Sequence, residues 1–259
     1  MWEWLLSSID ASRGHEVGFY LSWHARLMTL AWGVIIPSAV VVARYYKILP
    51  HQNWPQDLDN PTWWRGHWIG QSFAFTLSIV GLALILVGNE PSVSEPLYFQ
   101  AQLHRVLGYV VLVLGALQIL LGVFRGTKGG PTDLRKDGSW HGDHYDMTPY
   151  RLHFELLHRS MGYLALILAG LTILCGLWTV NAPRWMWISI VGWWVILFGF
   201  SIILQRKGYA VDTYQAIWGP SSKHPGNLKP ASGWGTRRPS EGKGTPFDVH
   251  LKSLDRGEN

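Results

Sequence analysis

Five long apolar runs dominate the chain, at about residues 20–43, 66–88, 98–124, 152–180 and 185–204. Each is near the roughly 20 residues that an α-helix needs to cross the hydrocarbon core of a bilayer. Lipid offers the backbone no hydrogen-bonding partner, so such runs are restricted to helices that satisfy their own N–H and C=O groups. The expected fold is all-α, a multi-pass transmembrane helical bundle of about five helices. Composition agrees, since only 15% of residues are charged, against roughly 25% in soluble domains. Many of the sixteen tryptophans sit at run ends: Trp23, Trp63, Trp64, Trp68, Trp178, Trp185 and Trp187. There an indole keeps its apolar body in lipid and its N–H among the headgroups. Pro37 falls inside the first run and is expected to kink it, which neighbouring helices tolerate.

The runs divide the chain into three parts. Residues 1–19 form a short N-terminal segment, 20–204 the membrane domain, and 205–259 a basic, Gly/Pro-rich tail. The opening segment has neither the basic start nor the long apolar stretch of a signal peptide. The tail has few apolar anchors and is expected to be largely irregular or disordered. Successive runs cross in alternating directions, so the connections sort onto two sides. The N-terminal side carries two cations, Arg13 and Arg184. The other carries Arg44, Lys47, Arg65, Arg125, Lys128, Arg135, Lys136 and Arg151, with nine more in the tail. The positive-inside rule makes that side cytoplasmic and puts the N-terminus outside. A bacterial inner membrane is the favoured setting. The net charge of +5 follows from this topology without a nucleic-acid partner, and a basic tail has affinity for anionic membrane lipid.

Four of the eleven histidines lie in the runs near their N-terminal ends: His24, His67, His104 and His158. Alternation places His24 and His104 at one depth and His67 and His158 at another. Histidine inside a span is costly and by default functional. Two pairs at two depths are what two haems, each between two histidines, require across a membrane. The single cysteine, Cys175, reads as a small buried apolar residue. No Cys-x-x-Cys-His attachment is present, so haem would be held by coordination and packing alone.

The surroundings of the histidines extend this reading. Leu103-His-Arg-Val-Leu-Gly-Tyr109 and Leu157-His-Arg-Ser-Met-Gly-Tyr163 are near copies. Gly108 and Gly162 lie four residues after their histidines, on the same helical face, where a flat macrocycle needs close approach. Gly115 and Gly122 continue one face, and Ala169 and Gly176 the other; helix packing through small residues is the competing account of these outer positions. Each histidine also has an arginine within two positions: Arg26, Arg65, Arg105 and Arg159. Guanidinium binds carboxylates such as haem propionates bidentately, while snorkelling to the headgroups is the alternative. His141 and His144, beside Asp143 and Asp146, read as a surface loop cluster or a metal site. His153 opens the fourth run on the side of the His67/His158 pair.

These residues resemble the cytochrome b561 family, in the eukaryotic-type core also found fused to DOMON domains. The resemblance is carried by His24-Ala-Arg-Leu-Met28, Trp32-Gly33, Pro37, Ala43-Arg-Tyr45, the isolated His67 and the two His-Arg-x-x-Gly-Tyr motifs. It covers about residues 20–204. It implies a helical bundle whose central four helices carry two haems b, with His24, His67, His104 and His158 as axial ligands. It also implies electron transfer across the membrane, often from ascorbate to monodehydroascorbate or ferric iron. No DOMON domain is read ahead of the first run. Arg65-Gly-His-Trp-Ile69 departs from the Ser-Leu-His-Ser-Trp motif of several ascorbate-reducible members. Arg44 and Lys47 stand where such members carry a basic donor-site residue.

The function expected is a di-haem b-type membrane cytochrome with non-covalent, bis-histidine haems, paired His24/His104 and His67/His158. Bis-histidine ligation leaves no open iron position and favours electron transfer over oxygen activation; a reductase activity at one face is the enzymatic form of this reading. Ascorbate, a quinol or a cytochrome are the candidate donors and acceptors, and a homodimer or a partner dehydrogenase the candidate assemblies. The alternatives are a haem-containing membrane anchor for that dehydrogenase, and a haem-free transporter with a histidine proton relay.

Overall fold

A computed structural model describes residues 1–88, 97–131 and 140–240. Arg135, Lys136 and the tail beyond 240, which the charge argument counts, lie outside the described residues. The described elements are α1 (Trp2–Leu6), α2 (Phe19–Tyr45), α3 (Thr62–Val87), α4 (Tyr98–Val123), α5 (Pro149–Thr179), α6 (Arg184–Arg206) and α7 (Thr213–Trp218). Helices α2 to α6 are each long and apolar enough to cross a membrane. The protein is an integral membrane protein, and among the described residues it is helical, with isolated bridges only at Ser8–Pro183 and Val211–Arg237.

The chain divides into two compact units, and the long helices contribute residues to both. The first comprises residues 1–39, 68–119 and 161–199. Its core joins Ala31, Trp32, Ile36, Ala74, Val111, Ala165, Ala169, Ile173 and Ile190. Four of these are alanines, which let helices approach closely where lipid provides no hydrophobic drive. Gly115 belongs to the same packing, since a Cβ there would stand 3.1 Å from Trp32 and Phe75. Ahead of Pro37 the helix runs through a π-helical stretch, Thr29–Ile35. Proline has no N–H for the carbonyl of Gly33. That carbonyl instead accepts Trp194 Nε1–H of α6 at 2.9 Å. Helix α6 carries no histidine, and its indole supplies the hydrogen bond that the proline removes. Asn181, after α5, fastens the N-terminal segment by accepting from Asp10 N and donating to the carbonyls of Asp10 and Arg13.

The second unit comprises residues 40–67, 120–160 and 200–259. The tail, expected to be largely irregular or disordered, is described as far as residue 240. Apart from α7 and a 3-10 turn at Pro225–Leu228, residues 208–240 are irregular, and they are packed. Val211 and Ala216 form a cluster with Ile48 and Trp54; Tyr214 and Trp218 form another with Tyr145 and Met147. Ala210 joins Tyr45 and Leu204. Composition conceals this, because six apolar residues within nine positions (Ala210, Val211, Tyr214, Ala216, Ile217 and Trp218) are diluted by the Gly, Pro and Lys that follow.

Candidate functional site

In the first unit, His24 stands in the second turn of α2 and His104 in the second turn of α4. Their ring centroids are 6.1 Å apart, at an interplanar angle of 76°. His24 Nδ1 lies 2.9 Å from the carbonyl of Gly81 in α3. His104 Nδ1 lies 2.9 Å from the carbonyl of Thr172 in α5. A carbonyl only accepts, so each Nδ1 carries the proton and donates. Each Nε2 is then left with a free lone pair, the form of imidazole that binds a metal.

In the second unit, His67 of α3 faces His158 of α5, with centroids 6.2 Å apart at 80°. Phe154, one turn before His158, stacks on it at 5.4 Å and 23°. His158 Nδ1 is buried without a hydrogen-bond partner. The neighbourhood is strongly charged. Buried Glu155 accepts from Arg151 Nε at 3.0 Å and Arg159 Nη2 at 2.8 Å, and from the Ser232 hydroxyl. Arg159 also donates to the carbonyl of Ser232, and Arg44 to that of Trp234. Lys47 is 5% exposed and donates to the carbonyl of Val211 at 2.8 Å. Desolvation, with Arg159 and Arg44 nearby, brings its pKa down to about 7 against the opposing pull of Asp212 and Glu155.

The arginines flanking the histidines do not behave alike. Arg26, Arg65 and Arg105 are exposed; Arg26 lies over the Trp23 ring and Arg105 donates to Gln102. Arg159 is already engaged by Glu155 and the tail. Gly108 and Gly162 are under no pressure from protein neighbours, since a Cβ would meet Thr172 at 3.8 Å and Gln118 at 3.7 Å, ordinary contacts. Gly122 meets nothing within 4 Å.

The loop histidines separate. His141 pairs with Asp146 at 3.2 Å on the surface. His144 is not a surface residue: it is 3% exposed, and its Nδ1 accepts Trp218 Nε1–H at 3.1 Å. Burial, reinforced by Arg151, brings its pKa down to about 3. No group of three or more His, Cys, Asp or Glu gathers for a metal among the described residues. His153 is exposed and bonds to its own helix at the carbonyl of Pro149, 2.7 Å away. Residue patterns pointed neither to Glu155 nor to the carbonyls of Gly81 and Thr172. Glu155 was legible, since it is the one acid inside an apolar run; a main-chain carbonyl leaves no trace in sequence.

The spacing of both histidine pairs suits an intervening metal ion. A metal–imidazole bond of about 2.0–2.1 Å on each side puts the two nitrogens about 4 Å apart and the ring centres about 6 Å apart. The exposed guanidiniums of Arg26, Arg65 and Arg105 suit a ligand bearing carboxylates.

Residues 23–137 match the family model of eukaryotic cytochrome b561. A cytochrome b561 and DOMON domain-containing protein of Arabidopsis thaliana is 27% identical over 63% of this chain and 29% of its own length. A second from the same plant is 22% identical over 82% of this chain and 48% of its own. Ferric-chelate reductase 1 of Bos taurus is 27% identical over 74% of this chain and 29% of its own. The chain thus spans less than half the length of these relatives. They come from a plant and a mammal and lend no support to the bacterial inner membrane favoured on sequence grounds. No solved structure matches the chain.

Proposed function

On the premise that residues 23–137 are a cytochrome b561 region, we propose that the chain is a di-haem b-type membrane cytochrome. It carries electrons across the bilayer between a donor at one face and an acceptor at the other. The observation that supports this best is the duplicated pair of facing imidazoles, at 6.1 Å and 6.2 Å. A proton relay calls for neither a duplicated pair nor a metal-sized gap within each.

Each residue has a role in this reading. His24 with His104, and His67 with His158, would hold the two haems through their imidazoles. Gly108 and Gly162 leave room for the macrocycles beside their helices. Arg26, Arg65 and Arg105 are free to take propionates; Arg159 does so only by sharing its guanidinium with Glu155. Haem held between two imidazoles supplies a one-electron couple with no open coordination position. The membrane domain is residues 20–204. The side bearing Arg44, Lys47 and the tail is cytoplasmic by its excess of Lys and Arg. Ascorbate and quinols are the donors to be tried first, and the bovine relative's name makes ferric chelates the first acceptor.

Haem content of the purified protein tests this. Two low-spin, acid-extractable haems per chain are expected, with reduction by ascorbate or a quinol. One haem, or none after haem-replete expression, would refute the assignment, and none would return the histidines to a relay.

A further inference from the structure

We infer that Gly176 is a positioning residue for His104, admitting its imidazole against α5 so that the ring sits with its Nδ1–H on the carbonyl of Thr172. This rests on the reading of His104 as a haem ligand.

The argument starts from the helix. A carbonyl inside α5 is already committed to the helical ladder, and the side chain at the position four residues on stands over it. For Thr172 that position is Gly176. With no side chain there, the carbonyl is open to a second donor, and His104 Nδ1 takes it at 2.9 Å. The approach is close. A Cβ at residue 176 would stand 2.9 Å from His104 Cε1 and 3.1 Å from Nδ1. The ring cannot give way without disturbing the hydrogen bond by which the carbonyl holds Nδ1. The hydroxyl of Thr172 does not compete for the ring, since it is turned back onto the carbonyl of Leu168 at 2.7 Å.

Spacing alone assigns this glycine differently. Gly176 lies eighteen residues after His158, and Gly122 eighteen after His104, so each looks like part of the face of its own helix's histidine. Gly176 instead serves the histidine of α4. A Cβ at Gly122 would meet nothing within 4 Å among the described residues. The repeat therefore supplies its own control, two glycines at matched spacing of which only one supports an imidazole.

The consequence is electronic as well as steric. An Nδ1–H donated to a carbonyl fixes the tautomer and makes the ligating nitrogen more basic, which favours ferric iron. An alanine at 176 turns the ring or lengthens that bond, so one haem is perturbed and its potential rises.

The test compares Gly176→Ala, Gly122→Ala and His104→Ala by electron paramagnetic resonance and potentiometric titration of the holoprotein. His104→Ala identifies the component that His104 ligates; if it removes none, the ligand reading fails and Gly176 is moot. Given that component, Gly176→Ala is expected to keep both haems, move its largest g-value and raise its midpoint potential. The other component and all signals of Gly122→Ala should match the wild type. Identical spectra and potentials for the two glycine variants would overturn the inference. If Gly176→Ala does not fold, pulsed resonance of wild-type protein with ¹⁵N-histidine decides. The component lost in His104→Ala must show an exchangeable proton on a remote ring nitrogen, deshielded by a hydrogen bond; its absence overturns the inference equally.

Discussion

The two histidine pairs have nearly the same geometry and very different settings. In the first unit the rings are held by neutral main-chain carbonyls, those of Gly81 and Thr172, within a core of alanines, tryptophan and branched aliphatics. In the second, His158 has an unpartnered Nδ1. It stands near a buried carboxylate between two guanidiniums, and the tail closes over that network. One pair is set by helix packing and the other by charges and a clasp. A shared ligand geometry therefore does not imply shared sensitivity, and each prediction below seeks a perturbation that one unit feels and the other does not.

The largest effect is expected from the ligands. His24→Ala and His104→Ala should remove the same haem component, and His67→Ala and His158→Ala the other. The double variant His24→Ala/His104→Ala should retain about half of the haem, whereas His24→Ala/His158→Ala should retain little. Spectra and haem-to-protein ratios check this, with size-exclusion chromatography to confirm folding. Loss of one common component from His24→Ala and His158→Ala in folded protein would break the comparison at its root.

The tail is next. Trp218 is almost fully buried and bonds to His144. Trp218→Ala should cost roughly 3–5 kcal/mol, as large-to-small aromatic substitutions in cores do. The loss should fall on the component of the His67/His158 pair. Thermal loss of the two spectral components, followed separately, measures it. Equal loss of both components would mean that the tail supports the whole molecule rather than its own unit.

Much of this contrast was hidden from the sequence, for identifiable reasons. Apolar length marks each spanning helix to within a few residues, because lipid demands it. The four histidines and their pairing follow from charge cost and helix alternation. The irregularity of the tail is legible in its composition, but its packing is not, because window composition averages Tyr214 and Trp218 with the glycines, prolines and lysines around them. His141-Gly-Asp-His144 is polar throughout and reads as a surface loop cluster or a metal site; the burial of His144 depends on Trp218, 74 residues away. The π-helical stretch was half legible. Pro37 announces a broken ladder, but Trp194 as its repair is a tertiary fact.

Acid should weaken the second unit first. His144 titrates at about 3 when folded, below the roughly 6.5 of an unfolded histidine. Between these values the unfolded chain binds a proton that the folded chain refuses, so stability is intact above about 6.5 and falls as pH drops toward 3. Lys47, at about 7 when folded, against about 10.4 unfolded, works in the same direction at higher pH. The unfolded chain is the better proton binder between those values, so stability rises with pH across them. Each group contributes at most about 1.4 kcal/mol per pH unit. Component-resolved melting from pH 4 to 9 should show the His67/His158 signal gaining stability with pH and the His24/His104 signal nearly level. Removing the imidazole in His144→Phe should flatten the acid limb.

The smallest expected effect is a difference in midpoint potential. Both imidazoles of the first pair donate Nδ1–H to carbonyls, which on the proposed reading raises their basicity and stabilises ferric iron. His158 makes no such bond, and two guanidiniums against one carboxylate leave its surroundings net positive, which favours the ferrous state. Both terms place the His67/His158 component at the higher potential. A net hydrogen bond of about 0.5–1.5 kcal/mol, at about 59 mV per tenfold for one electron, corresponds to a separation of roughly 20–60 mV. Glu155→Gln, which removes the compensating carboxylate, should widen the gap by lifting the upper component alone. Potentiometric titration of the wild type and this variant, with components assigned from the histidine variants, measures both quantities. A wild-type protein in which the component lost with His104→Ala is the higher one would show that neither hydrogen bonding to Nδ1 nor the arginine pair governs these potentials. Solvent exposure of the haem edges would then be the stronger control.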